Sequence, residues 1–207
     1  VADDAAGESV TISMGSQIVN GTTLTSWNIE KQFADLTNEY EIMTGAVTES
    51  FSLSVTPEQI VTCGFDFLSQ DSVTASATTG DGSPTAAATN PIFNAIDDVV
   101  AILEGYTAYG STNFNLTVNN NLRSRLQIGQ LGAISIGAGK CVVTGNISAY
   151  FTTPTVMDKF LNNTVTNLAI VLKESGSNNS YVIEMPSVKY TNGRRVAGGT
   201  NSDIIAN

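Results

Sequence analysis

The segment Val47–Leu68, VTESFSLSVTPEQIVTCGFDFL, decides the fold because it places two alternating runs on either side of one short turn. The apolar members are Val47, Phe51, Leu53 and Val55 in the first run, and Val61, Cys63, Phe65 and Phe67 in the second. The intervening positions are Thr48, Ser50, Ser52 and Ser54, then Thr62, Gly64 and Asp66. This period of two predicts a β-hairpin that buries one face and turns at residues 56–59. The other face carries hydroxyl groups and no cation, which predicts a wet, non-adhesive surface.

Composition limits the class of protein. With 207 residues the chain is long enough for one sizeable all-β domain. Its 19 acidic and 9 basic residues give a net charge of -10, which disfavours a phosphate-binding groove that works by counterion release. Only 14% of residues are charged, while Ser, Thr, Asn and Gly are abundant. This balance favours polar uncharged strands or extensive contact with other subunits.

Membrane insertion is not expected. The sequence has no run of roughly 18 apolar residues. Residues 1–9 carry Asp3, Asp4 and Glu8, where a signal peptide would carry cations. The sequence begins at Val1, so removal of an upstream segment stays open.

Other segments predict an arm, further strands and a long loop. Residues 1–20 are small and acidic and predict an extended N-terminal arm, ahead of a single domain over residues 21–207. Residues 24–33 alternate, and Gly45 marks a bulge or bend in the next long strand. The stretch 76–91, SATTGDGSPTAAATNP, has no periodicity, and a loop of this length favours a contact role, with a merely mobile tip as the alternative.

A second pair of alternating strands repeats the chemistry of the first. In residues 113–119 and 141–151 the polar positions include Asn115, Thr117, Thr144, Asn146 and Ser148. Four strands are therefore expected to present a Ser/Thr/Asn face. Residues 99–103, 164–173 and 181–190 predict three more strands, and the last two are joined by a turn at residues 174–179.

One short helix is predicted at Pro154–Leu161, with Thr153 as N-cap and Pro154 at the first helical position. Its apolar stripe consists of Val156, Met157, Phe160 and Leu161. A stripe of this kind covers a face or edge of a sheet. The expected fold class is mainly β: a β-sandwich or partial barrel with one short flanking α-helix and long loops.

The two cysteines fall in predicted strands, in parity with apolar neighbours. Cys63 and Cys141 therefore predict buried free thiols, and a disulfide between them stays open.

No catalytic residue, cofactor or metal is expected. The sequence has no histidine, which removes the commonest general base and the commonest metal ligand. Asp97 and Asp98 are the nearest carboxylate pair, but neighbours in a strand point to opposite faces. Residues 135–141, SIGAGKC, fail as a phosphate loop. Ile134 stands where that loop needs Gly, and Cys141 stands where it needs Ser or Thr.

Four segments carry a resemblance to a known family: SLSVTPEQIV at 52–61, NNNLR at 119–123, LGAISIGAGKCVVTG at 131–145 and DKFLN at 158–162. In this order and spacing they resemble the major tail tube proteins of long-tailed bacteriophages. The resemblance implies a β-sandwich with a flanking helix, forming hexameric rings that stack into a hollow tube. Strands of every subunit would join an inter-subunit β-barrel, through which the tape-measure protein and then DNA pass.

The resemblance also implies roles for particular residues. The lumen-facing set would be Thr48, Ser50, Ser52, Ser54, Thr62, Asp66, Asn115, Thr117, Thr144, Asn146 and Ser148. The loop 76–91, with Thr79, Asp81, Ser83 and Pro84, and the N-terminal arm would contact neighbouring rings. Relatives generally continue past the equivalent of Gly198-Gly199 into a final strand, whereas this chain stops at Asn207, so either that segment is missing here or the last strand is supplied differently.

Partners and location follow from the same resemblance. The expected partners are further copies of the chain, a tail terminator, and baseplate or tip proteins, with no membrane. DNA and the tape-measure protein would pass without specific binding. The expected location is the virion tail, assembled in the host cytoplasm.

Elementary physical chemistry supports ring formation independently of the resemblance. A sheet with one polar face and open edges invites aggregation, and copies joined edge to edge in a ring abolish every edge. A hydroxyl-lined bore that is neutral or acidic repels phosphate over a Debye length of about 8 Å. Glu49, Asp66 and Asp71 are candidates for that acidic charge, with ordinary surface carboxylates as the alternative.

Two other functions stay open from the sequence. A secreted β-sandwich adhesin or binding module usually needs exposed aromatic residues or a calcium cluster at its loops, and residues 76–91 contain neither. A bacterial secretion-tube ring protein shares the tube architecture and differs only in its biological context.

Overall fold

The computed structural model describes residues 2–3, 9–10, 21–80, 85–150, 154–177, 179–197 and 204–206. The strands in that part of the chain are β1 (Ala2–Asp3), β2 (Ser9–Val10), β3 (Trp27–Gln32), β4 (Tyr40–Val55), β5 (Thr62–Leu68), β6 (Asp71–Ala75), β7 (Val99–Glu104), β8 (Thr107–Ala108), β9 (Ser111–Asn119), β10 (Arg123–Leu126), β11 (Ala133–Gly137), β12 (Val142–Tyr150), β13 (Thr166–Lys173), β14 (Ser180–Val188), β15 (Arg195–Ala197) and β16 (Ile204–Ala206). The helix α1 spans Thr155–Leu161. The mainly β class expected from the sequence is confirmed.

The opening hairpin forms where the alternation predicts it. Strand β4 has 16 residues, and its C-terminal half pairs with β5 while its N-terminal half pairs with β6. In the turn, the Gln59 N–H donates to the Thr56 carbonyl at 3.3 Å. Gly45 adopts a φ of 60°, and a register shift in the β3–β4 pair lies beside it, which confirms the predicted bend.

Two sheets pack face to face as a sandwich. The large sheet has the order β15-β16-β12-β9-β4, with β5 on the far side of the C-terminal half of β4 and with β3 and β6 flanking its N-terminal half. The small sheet has the order β14-β13-β7-β8. All these pairs are antiparallel, and neither sheet closes into a barrel within the chain.

The main hydrophobic core fills the space between the two sheets. It consists of Leu53, Val55, Phe114 and Leu116 from the large sheet and Ile102, Ile170 and Leu172 from the small one. Each side chain of this size contributes about 1.5–3 kcal/mol when it is fully buried. The apolar parity of the opening segment therefore serves to hold the two sheets together.

Helix α1 is fastened by an ion pair that is largely buried. The Lys159 ammonium lies 2.7 Å from both carboxylate oxygens of Glu104, whose side chain is 7% exposed. The Thr166 hydroxyl donates to the same carboxylate at 2.8 Å. Burial, and next the charge of Glu104, raise the pKa of Tyr109 and of Tyr190. The contacts of Lys159 and Thr166 with Glu104 tie the helix to β7 and β13.

The start of α1 differs from the sequence prediction. Pro154 occupies the N-cap position and makes no side-chain capping hydrogen bond, and Thr153 lies outside the described residues. Val156, Met157 and Phe160 line a small cavity at one end of the sandwich, together with Tyr109, Ile147 and Tyr190. Leu161 is exposed, so the helix buries only part of its apolar stripe.

One hairpin in the middle of the chain was not predicted, and one prediction there is wrong. Residues 123–137 form the β10–β11 hairpin, for which the sequence analysis proposed no strands. Cys63 is exposed rather than buried, and Cys141, just before β12, is half-buried. Both are free thiols. Cys63 is exposed because its part of the large sheet extends beyond the core cluster that joins the two sheets.

The strands at the two ends of the chain add detail to the sequence predictions for these regions. β16 pairs with β12 at Ala149 and Tyr150 and with β15, so a short strand does follow Gly198-Gly199. β1 and β2 pair with each other. The rest of the predicted N-terminal arm lies outside the described residues.

Candidate functional site

One face of the large sheet collects the hydroxyl and amide side chains that the sequence predicts to lie together. Across β5, β4, β9 and β12 the register gives one row of Gly64, Ser52, Thr117 and Thr144, and a second of Thr62, Ser54, Asn115 and Asn146. Asp66, Ser50, Asn119 and Val142 form a third row, and Asn113 with Ser148 begins a fourth. We call this surface the polar face. It includes every predicted lumen residue except Thr48.

Thr48 leaves the polar face because of a register shift. The pairing of β4 with β5 changes between Thr48 and Ser50, so that Glu49 has no partner of its own on β5. Thr48 then stands opposite Phe67, and alternation places it on the same face as Phe67. The same shift turns Val47 to the face opposite that of Phe51. There Val47 packs with Leu68, Leu122 and Ile136. The predicted parity of these two residues is wrong.

The opposite face of the same four strands is apolar, but its two margins are uncovered. Near one margin, Phe65 and Phe67 on β5 are 56% and 42% exposed. At the other margin, Val143 on β12 is 51% exposed. Val143 and Phe65 belong to one row, which crosses the sheet through Phe51 and Val118. The sequence reveals the apolar parity of these residues, but not that the small sheet leaves them uncovered.

Both margins also present main-chain groups without a strand partner in the described part of the chain. β5 pairs with β4 on one side, and the described residues supply no strand on the other. Residues 142–148 of β12 pair with β9, while β16 joins β12 only at its end. Open edges of this kind are templates for pairing with another chain.

The polar face is weakly charged. An open groove lies on it beside Ser52, Thr62, Asn115 and Thr117. Its one ionisable side chain is Asp66, which accepts a hydrogen bond from the Ser50 hydroxyl. No Lys or Arg occupies any position of its rows. Such a surface attracts water but offers no anchor for phosphate.

The other two proposed sources of acidic charge lie elsewhere. Glu49 sits at the register shift, and its carbonyl accepts the Asn120 N–H at 2.8 Å. Asp71 begins β6, beyond the rows of the polar face, opposite Thr44. Asp66 is thus the only one of the three candidates that lies within the polar face.

The loop predicted to make contacts is tied down at its start. The Thr79 N–H and hydroxyl donate to Glu30 of β3 at 2.8 and 3.1 Å. These bonds from Thr79, together with the Thr78 hydroxyl, lower the pKa of Glu30. Asp81, Ser83 and Pro84 lie outside the described residues.

The neighbouring carboxylates Asp97 and Asp98 have different environments. Asp98 is buried, and its carboxylate accepts the N–H groups of Asn94 and Ser175, each at 2.8 Å. These bonds join the segment before β7 to the turn after β13. Asp97 is exposed.

Residues 4–207 match the family model described as phage tail tube protein. The chain belongs to this family. The tail tube protein is accordingly a structural component of the virion tail. It self-assembles into a tube with other tail proteins. No curated protein matches it significantly. The described residues include no helix long and apolar enough to cross a membrane.

Proposed function

We propose that six copies of this tail tube protein join edge to edge in a ring, and that stacked rings form the channel for DNA ejection. In each ring, β5 of one copy pairs with β12 of the next, so that the polar faces form a continuous lumen. The observation that carries the proposal is the position of the two open edges. They flank the polar face, and each is accompanied by exposed apolar side chains on the opposite face.

Charge favours head-to-tail pairing over pairing of like edges. Residues 40–75, which include β5, contain five carboxylates and no Lys or Arg. Arg123 and Arg125 lie on β10, in a hairpin that passes toward β5, so the cation of the β12 edge is Lys140, two residues before that strand. Asp66 on β5 and Lys140 favour the pairing of unlike edges. A heterologous contact of this kind generates a closed ring when its rotation closes.

The resulting barrel is wide enough for a channel. Four strands from each of six copies give about 24 strands, which at a spacing of ~4.8 Å and a tilt of ~40° form a barrel about 48 Å across. Barrels of 16–18 strands already enclose an aqueous channel. A closed barrel also removes the open edges that would otherwise aggregate.

We propose that the channel wall lets DNA pass because it does not bind DNA. DNA that passes a surface without cations cannot gain affinity by releasing counterions. The lumen set is Ser50, Ser52, Ser54, Thr62, Asp66, Asn115, Thr117, Thr144, Asn146 and Ser148, and their hydroxyl and amide groups keep a layer of water. Asp66 adds weak repulsion over a Debye length of about 8 Å. We infer that this structural function requires neither a catalytic residue nor a cofactor.

Other parts of the chain complete the proposal. Residues 21–207 act as one tube-forming domain, and Thr79, Asp81, Ser83 and Pro84 with the N-terminal arm contact adjacent rings. The tape-measure protein occupies the lumen before DNA. A tail terminator and baseplate or tip proteins cap the tube, which assembles in the host cytoplasm.

Cross-linking across the proposed joint tests the ring directly. In a Cys141→Ser background, Val143→Cys places a second thiol on the apolar face beside the edge opposite Cys63. A short bis-maleimide should then give a ladder of covalent oligomers that ends at six. The single-cysteine controls should stay monomeric, because a head-to-tail joint brings two different positions together. Dimers from either single-cysteine control, or no ladder from the pair, contradict the proposal.

Lysines in the lumen should impair transit without impairing assembly. Ser52→Lys with Ser54→Lys adds twelve cations to each hexameric ring, and phosphate then gains counterion-release affinity. We expect tubes of normal appearance and a drop in infectivity of about tenfold or more, relieved by added salt. The matched control is Ser52→Asn with Ser54→Asn. Unchanged infectivity of the lysine variant places these residues outside the lumen.

A further inference from the structure

The β10–β11 hairpin, residues 123–137, lies across the large sheet; we call it the crossing hairpin. Its base is fixed by Leu122 and Ile136, which pack against Val47 of β4 and Leu68 of β5. The segment thus leaves the end of β9, passes β4 and reaches the strand at the open edge. This path takes it toward one margin of the sheet.

The crossing hairpin makes a main-chain contact with the link that follows that edge strand. The Ala133 N–H donates to the carbonyl of Gln70, between β5 and β6, at 2.8 Å. Gly132 adopts a φ of 79°, and a Cβ there would lie 2.9 Å from the Gln70 carbonyl oxygen. A side chain at residue 132 would therefore break this contact. The contact with Gln70 fixes the direction in which residues 127–131 project.

The tip of the hairpin is apolar and touches little of its own chain. Ile128 is fully exposed, Leu131 is 94% exposed and Leu126 is 76% exposed. Residues 126–134 contain four large aliphatic side chains and no charged residue. Exposed clusters of this kind mark contact sites on soluble proteins.

We propose that this tip docks on the neighbouring copy in the same ring, over the segment Lys140–Val142 that leads into its β12. The inference rests on the proposed ring, because the occupant is the copy that pairs with β5. Residues 127–132 lie beyond the contact with Gln70, and residues 127–130 of them form a turn. About two residues of reach on each arm, at ~3.3 Å per residue, span about 7 Å. That reach exceeds the ~4.8 Å between paired strands, so the tip passes the joint.

Charge supports the same occupant. The edge that the hairpin crosses carries Asp66 and Asp71, while Lys140 lies two residues before β12 on the proposed neighbour. Arg123 and Arg125 belong to the base of one arm of the hairpin, and its tip carries no charge that would oppose Lys140. Within one copy, the Asp66 end of β5 and the Val142 end of β12 lie at the same end of the sheet. A head-to-tail joint therefore brings the tip and the cation to the same end of the interface, offset along the strands by the stagger that a tilted barrel requires. The crossing hairpin then clamps the joint that the main-chain pairing makes.

Removing the aliphatic tip tests the clamp. Ile128→Ser with Leu131→Ser should leave the monomer as stable as the wild type, because both side chains are exposed. The protein concentration needed for ring formation should rise by about tenfold or more. The matched control is Ile92→Ser with Ile96→Ser, two side chains that are each 69% exposed. Ring formation at the wild-type concentration by the tip variant overturns the inference.

A cross-link then identifies the occupant. In a Cys63→Ser background, Ile128→Cys should couple through a short bis-maleimide to the native Cys141 of the next copy, in rings that electron microscopy shows to be unstacked. Cys63→Ser alone is the control and should not couple. Cross-links found only in stacked tubes, or none, overturn the inference. If the Cys63–Val143→Cys ladder forms while this one does not, the ring stands and only the clamp fails; loss of both ladders removes the ring.

Discussion

Phe65→Lys should keep the chain monomeric without unfolding it. Phe65 is 56% exposed in a single copy and lies on β5, beside the edge proposed to join β12. Burying a Phe side chain contributes about 1.5–3 kcal/mol, and a lysine there must in addition lose water from its charge. We expect the concentration needed for assembly to rise by about 100-fold or more.

Sedimentation velocity over a concentration series measures that shift, and circular dichroism checks the fold. Phe65 contacts Phe51 with ring centroids 5.1 Å apart, so loss of the pair lowers monomer stability by about 0.5–1.5 kcal/mol. Phe65→Leu retains an apolar side chain at the edge and should still assemble. Val182→Lys, on β14 of the small sheet, is the charge-matched control. Wild-type assembly of Phe65→Lys rules out the β5 joint.

Lys159→Met should be the most destabilising of the changes considered for the single chain. It removes the ammonium group from Glu104 and leaves a carboxylate that is 7% exposed without its cation. Breaking a buried ion pair in this way costs about 3–5 kcal/mol. The free energy of unfolding, measured by urea denaturation at low protein concentration, should fall by that amount.

A double-mutant cycle separates the ion pair from the packing of the helix. Lys159→Met with Glu104→Leu removes both charges and should recover most of the lost stability, although the Thr166 hydroxyl then loses its acceptor. If Lys159→Met costs less than about 1 kcal/mol, the pair behaves like an exposed one and does not anchor α1.

The sequence could predict the polar face because alternation and strand register depend on local pattern. Ser52, Thr117 and Thr144 share a row through two independent strand pairs, and each was assigned to its face by a period of two. The hydrophobic core was predictable for the same reason, since Leu53 and Leu116 are the opposite members of these runs.

The register shift at Glu49 could not be predicted from the pattern. A β-bulge adds one residue to one strand and inverts every position beyond it. Thr48 and Val47 each fit either face by composition, and only their partners on β5 decide between them. The bend at Gly45 was predictable, because a glycine reveals a backbone requirement that Glu49 does not.

The crossing hairpin and the exposure of Cys63 were missed for a different reason. Apolar residues such as Ile128 and Phe65 indicate that something covers them, but not whether the cover belongs to the same chain. In the crossing hairpin, RSRL and AISIG lack the sustained alternation that identifies a half-buried strand. Its strands are recognisable only once Gln70, Val47 and Leu68 are in place beneath it.

Strand β4 has a mechanical consequence for the tube. It is hydrogen-bonded to neighbours on both flanks along most of its 16 residues, and it continues from the proposed channel wall into the region where β3 and β6 flank it. Widening the channel locally would require breaking ladders in both regions at once. The conduit should therefore behave as a stiff pipe of fixed calibre, through which cargo slides on its hydration layer while the wall itself stays still.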